Sequence, residues 1–270
     1  VPSKTLNIAL AGTGVGKSLF MCHLASSYLL QGLNVLYITL EMAEERIAER
    51  IDANLLDVTM EDLHDMPQQL YEGKITKLRE KTQGQLVIKE YPTASAHSGH
   101  FKSLMNELAL KKSFRPDVIF IDYLNICASS RFKGGNISSY FYVKAIAEEL
   151  RGLAVEFNVP IFSATQTTRT GYVSTDIGLE DTSESFGLPA TADFMFALIS
   201  NEELEALGQM KVKQLKNRYN DPSINRAFIV GVDRAKMRLY DVQQKVGDIV
   251  DANQVDEKED AYDKFSDFKL

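Results

Sequence analysis

Eight residues near the start of the chain, Ala11-Gly12-Thr13-Gly14-Val15-Gly16-Lys17-Ser18, have the types and spacing needed to hold a polyphosphate. Glycines let the backbone wrap tightly enough for its N–H groups to point inward at phosphate oxygens. Lys17 is placed to reach the β- and γ-phosphates, and the Ser18 hydroxyl to ligate Mg²⁺. A helix starting at Lys17 would add the positive end of its dipole. The usual pattern opens with Gly, and Ala11 stands there instead. An apolar run before the stretch and a helical pattern after it favour a phosphate loop, formed by Gly12 to Ser18, over a plain Gly-rich turn.

Four further places could serve such a loop. Asp122 ends the apolar run Val118-Ile119-Phe120-Ile121, where a carboxylate leaving a buried strand can anchor Mg²⁺ through water; otherwise it caps a turn. Glu41, in Thr39-Leu40-Glu41-Met42, is either a general base for an attacking water or a carboxylate offsetting the dipole of the next helix. Gln166, after Ile161–Thr165, is either a neutral amide contacting the γ-phosphate or an ordinary loop entry. Lys216-Asn217-Arg218 either reaches the nucleotide of a neighbouring subunit or is a charged surface turn. Two polar loops, Ser129–Asn136 with Arg131 and Lys133, and Thr167–Tyr172 with Arg169, combine cations and small groups that suit a nucleic-acid backbone, or are simply solvated.

Periodicity supplies the elements that must position these groups. Strands are expected at Thr5–Ala11, Asn34–Leu40, Gln85–Tyr91, Asp117–Tyr123, Pro160–Thr165 and Ala192–Ile199. Three late strands, Lys211–Leu215, Ala227–Val232 and Arg238–Asp241, read as antiparallel. Helices are expected at Lys17–Leu30, Ala43–Asn54, His100–Lys112, Ser139–Phe157 and Glu202–Leu207, with residues 55–84 helical and polar. Residues 128–138 and 166–182 read as loops. Strands alternating with helices imply a mostly parallel sheet covered on both faces, with ligands at the carboxyl ends of its strands.

The composition bounds the rest. The chain has 270 residues, 44% of them hydrophobic and 25% charged, with no run long enough for a membrane helix and no opening signal peptide. Cys22 and Cys127 form no C-x-x-C pair, which fits a reducing cytoplasm rather than a disulfide framework or zinc site. His97 and His100, without a cluster around them, read as a solvated loop and helix start. The net charge of −7 confines any nucleic-acid site to a local stripe. The sequence splits into a domain at 1–243 and an acidic tail at 244–270, expected to be mobile. It opens without Met a few residues before a strand that must sit mid-sheet, so a fragment is expected.

As a set, the motifs resemble the C-terminal ATPase domain of the DnaB-type hexameric replicative helicases, in the RecA-like P-loop class, and most closely the branch carried by T-even-like tailed phages. The resemblance covers about residues 5–242: the phosphate loop, TLEM at Thr39–Met42, IFIDYLNIC at Ile119–Cys127, SATQTTR at Ser163–Arg169, PATADFMFAL at Pro189–Leu198, and Lys-x-Arg at Lys216–Arg218. It implies Glu41 as catalytic base, Asp122 with Ser18 as Mg²⁺ ligands, Gln166 as γ-phosphate sensor, and Arg218 with Lys216 acting in trans. It implies ATP as nucleotide and 5′→3′ travel on single-stranded DNA held by loops carrying Arg131, Lys133 and Arg169. A homo-hexamer of the full-length protein, with primase and a helicase loader as partners in the host cytoplasm, is implied as well. Two other readings stay open from the residues: a recombinase-like filament ATPase on single-stranded DNA, and a nucleotide switch that binds protein only.

Overall fold

Alternate residues along the central strands are apolar on both sides, so helices must cover both faces of the sheet. In the computed structural model, which describes residues 1–132, 137–167, 177–179, 182, 187–221 and 224–243, nine strands form one sheet. They are β1 Leu6–Ala11, β2 Val35–Thr39, β3 Leu86–Glu90, β4 Val118–Asp122, β5 Ile161–Gln166, β6 Phe194–Ile199, β7 Gln209–Asn217, β8 Ala227–Asp233 and β9 Arg238–Asp241. Their order across the sheet is β3-β2-β4-β5-β1-β6-β7-β8-β9. The first six run parallel, and β7, β8 and β9 are antiparallel, as expected from the sequence.

The helices are α1 Lys17–Leu30, α2 Glu44–Leu56, α3 Met60–His64, α4 Gln68–Lys81, α5 Ser98–Lys112, α6 Ser139–Phe157, α7 Gly187–Thr191 and α8 Glu202–Ala206. One core lies between the sheet and α1 and α2, with Ala9, Val35, Tyr37, Val118, Phe120 and Phe162 from the strands. The other lies beneath α5 and α6, with Leu6, Ile8, Leu36, Ile38, Ile119 and Ile121. Ala11 belongs to the first core and is fully buried, so the residue replacing the usual glycine packs its methyl inside.

Three aromatic rings stand side by side on this first face. The sheet register aligns Tyr37 with Phe120 and Phe120 with Phe162. Tyr37 stacks on Phe120 at 5.8 Å, and Phe120 on Phe162 at 5.3 Å. Stacked cross-strand rings of this kind fix the register of β2, β4 and β5.

Several boundaries differ from those the sequence suggests. β7 is longer than Lys211–Leu215, because its pairing with β8 begins at Gln209 and its pairing with β6 runs on to Asn217. α5 begins at Ser98: the His97 ring accepts from the Gly99 N–H, and the His100 ring accepts from the His97 N–H. The histidine pair is therefore a helix cap. The short α7 carries Pro189 in its first turn, where a missing N–H costs nothing. No helix among the described residues is long and apolar enough to cross a membrane. The tail at 244–270 lies outside the described residues.

Candidate functional site

The parallel register brings the sequence-predicted residues to one edge. Ala11 is level with Gln166, and Thr39 is level with Asp122. The loop after β1, Asp122, Gln166 and the turn holding Glu41 therefore emerge together at the carboxyl ends of their strands. β1 lies between β5 and β6, where the order of connections reverses. Ligands bind at such a switch point in open parallel sheets.

The loop has the backbone that its glycines permit. Gly14 has φ 79° and Gly16 φ 123°, conformations that side chains strongly disfavour. α1 starts from Gly16 with no side-chain cap and no acidic residue in its first turn. Its leading N–H groups and dipole thus suit an anion. The Lys17 ammonium donates to the Gly12 carbonyl at 3.2 Å and lies 6.0 Å from the centre of the Tyr123 ring. Burial lowers its pKa, and the charges of Glu41 and Asp122 pull it back up.

Asp122 is fully buried. Its Oδ2 accepts a hydrogen bond from the Tyr37 hydroxyl at 3.0 Å. Burial raises its pKa; the Ser18 and Tyr37 hydroxyls act in the opposite direction, and Glu41 raises it further. Its Oδ1 is buried without a hydrogen-bond partner among the described residues. An orphaned carboxylate oxygen beside a hydroxyl is a donor set that fits Mg²⁺. Among the described residues no group of three or more His, Cys, Asp or Glu could hold a metal. A cation here would share its remaining positions with phosphate oxygens and water.

Glu41 is exposed, two residues past β2, and makes no hydrogen bond or ion pair among the described residues. The first turn of α2 has its own carboxylates, Glu44 and Glu45. Glu44 and Glu45 thus offset the dipole of α2 from within its own first turn. The Gln166 amide donates to the Tyr123 hydroxyl at 3.2 Å. Tyr123 therefore stands between Lys17 and Gln166 and connects the phosphate loop to the end of β5.

The remaining candidates lie elsewhere. Arg218 follows β7, whose last residue, Asn217, is paired with Phe194 at the start of β6. Phe194 is level with Asn7, four residues before Ala11 in β1. Arg218 is thus about 13 Å along the strands from the phosphate loop, at the opposite edge. It pairs there with Asp193 at 2.8 Å. Within this chain it cannot reach the loop. Arg131 pairs with Glu148 of α6, while Ser129 and Ser130 are bonded to Glu149. Lys133 and Arg169 lie outside the described residues.

Three contributors carried no role in the sequence reading. Tyr37 and Tyr123 hold Asp122 and Gln166, and Arg50 of α2 is close enough for its charge to act on Asp122. A tyrosine inside the aliphatic strand VLYIT was the available signal, since a buried hydroxyl needs a partner. Tyr123 follows Asp122 directly in the motif.

A phosphate loop joining a central parallel strand to its helix, at the switch point of a sheet covered on both faces, defines a P-loop nucleotide-binding protein. Within that class the chain belongs to the DnaB-like helicase C terminal domain family, whose model matches residues 2–234. It is 46% identical over 268 residues to the DnaB-like replicative helicase of Enterobacteria phage T4, a match covering 96% of this chain and 56% of that protein. The chain thus spans about half the length of this curated relative. Two solved structures share the fold at 16% identity. One is an ATPase domain, with a TM-score of 0.73, covering 90% of this chain and 86% of that one. The other is a DnaB-like replicative helicase described with its interactions with primase, with a TM-score of 0.71, covering 90% and 58%.

Proposed function

We propose that this chain is the ATPase motor of a replicative DNA helicase, working as a ring that travels 5′→3′ on single-stranded DNA. The observation that carries this reading is the division of the site between two edges. The phosphate loop, Asp122, Glu41 and Gln166 share one edge, while Lys216 and Arg218 lie at the other. Cations that cannot serve their own subunit are suited to serve the next one.

In this mechanism the loop N–H groups and Lys17 bind the phosphates of ATP. Asp122 and Ser18 would hold Mg²⁺, which would supply positive charge against the phosphates. Glu41, exposed and without a hydrogen bond or ion pair among the described residues, takes the proton of the attacking water. Arg218 of the adjacent subunit faces the charge that develops on the γ-phosphoryl, with Lys216 beside it. Gln166, bonded to Tyr123, passes loss of the γ-phosphate to the loop that follows β5.

Arg131, Lys133 and Arg169 contact the DNA backbone in this reading. Arg131 would exchange Glu148 for a phosphate, at small cost because exposed ion pairs contribute only ~0–1 kcal/mol. The hexameric ring, the DNA, a primase and a loader rest on family membership. The primase is supported by the solved relative described with one.

Arg218→Ala tests the proposal. ATP binding should persist while turnover falls by about 10³-fold or more. Normal turnover in that variant would remove the trans role and with it the ring mechanism.

A further inference from the structure

Far from the phosphate loop, one buried carboxylate gathers three cations. Asp193, immediately before β6, is fully buried. Its Oδ1 accepts from Arg151 Nη2 at 3.1 Å and from Arg218 Nη1 at 2.8 Å. Its Oδ2 accepts from Arg151 Nε at 3.0 Å and from the Leu6 N–H at 3.0 Å. The Arg218 N–H donates to the Asp193 carbonyl at 3.0 Å, and Arg218 Nη2 to the Ala190 carbonyl at 3.3 Å. Lys216 donates to the Pro189 and Ala190 carbonyls, and its pKa is lowered by burial and then by the charge of Arg218.

Arg151, in α6, already pairs with Asp193 through a bidentate fork. Neutralising Asp193 therefore does not require Arg218. Three cations against one carboxylate leave the cluster with a net charge of +2. The Arg218 side chain keeps 39% of its exposure. Asp193 and the Ala190 carbonyl each engage one of its terminal nitrogens, and a guanidinium has five N–H donors. The tip is thus held from the buried side with donors left to face outward. A side chain fixed in this way loses less freedom when it meets a phosphoryl group.

We propose that Asp193, braced by Arg151, is the positioning residue for Arg218, holding its guanidinium toward the nucleotide of the neighbouring subunit. This inference rests on the trans role of Arg218 given above. Asp193 touches no phosphate itself. It sets where the arginine points, and Arg151 keeps Asp193 from cancelling the charge that Arg218 presents.

Subunit mixing in the full-length protein tests this. Arg218→Ala subunits keep a nucleotide site but have no arginine to lend. Lys17→Ala subunits turn over no ATP of their own but keep the arginine. ATP turnover in the mixture then arises where the two kinds meet. Adding Asp193→Asn to the Lys17→Ala subunit should lower the kcat of the mixture about tenfold or more while KM holds. Adding it instead to the Arg218→Ala subunit should leave turnover intact, which shows that the variant folds and keeps its site. Arg151→Gln in the Lys17→Ala subunit should act in the same direction as Asp193→Asn, and it decides the matter if Asp193→Asn does not assemble. Unchanged turnover with the altered arginine donor would overturn the positioning role. Absence of turnover in the starting mixture would overturn the trans reading itself.

Discussion

Replacing Tyr37 with Phe removes one oxygen atom from the centre of the site and little else. The ring is fully buried and stacked on Phe120 at 5.8 Å, so Phe keeps the packing. The hydroxyl is what Asp122 Oδ2 loses, a donor at 3.0 Å, while Oδ1 already has no partner among the described residues. A hydrogen bond to a charged group contributes about 1.5–3 kcal/mol. For a chain of this size each kcal/mol moves Tm by about 2–4 °C, so Tyr37→Phe should melt about 3–12 °C below the parent at neutral pH. The pH dependence has a fixed sign. Burial raises the pKa of Asp122 and the Tyr37 hydroxyl acts against that rise, so the variant raises it further. A raised carboxyl pKa means that stability present at low pH is lost as pH climbs through the folded pKa. The deficit should therefore be full at neutral pH and shrink as pH falls through the raised folded pKa values of Asp122, being gone by the ordinary aspartate range, where the buried carboxyl is protonated in both proteins. Thermal melts of both proteins from acid to neutral pH, without nucleotide, measure this. A deficit independent of pH, or no deficit at all, would refute the placement of the hydroxyl on the carboxylate.

Two other substitutions have clear directions. Lys17→Ala should abolish ATP turnover, measured by phosphate release, while leaving the melting temperature near that of the parent, since among the described residues the ammonium's one hydrogen bond is to Gly12 of its own loop. Asp122→Asn should also abolish turnover yet raise Tm at neutral pH by about 2–4 °C for each kcal/mol of burial penalty removed. That gain should vanish in acid, because the raised pKa of Asp122 penalises only its charged form.

The parts of the site legible in the sequence are those built from contiguous residues. The loop at Gly12–Ser18 is local, and Asp122 and Gln166 each end an apolar strand, so their edge follows from the fold class. Tyr37 was not legible as a partner of Asp122, because the two are 85 residues apart and meet only through the pairing of β2 with β4. The Arg151–Asp193–Arg218 cluster draws on α6, the residue before β6 and the residue after β7, and no spacing in the sequence announces it. The position of Lys216 and Arg218 at the far edge depends on β7 running antiparallel and on its true length, which is set by pairing with β6 as far as Asn217. The helical run at 55–84 was legible in character only, since the turns separating α3 from α4 follow from packing rather than from periodicity.

The most direct test of the central claim is the rate of ATP hydrolysis per subunit, with and without single-stranded DNA, across protein concentration. A site completed by a neighbour in a DNA motor should give turnover that DNA stimulates strongly and that rises with concentration as subunits assemble. Turnover that is flat with concentration and blind to DNA would leave the nucleotide site standing and contradict the motor.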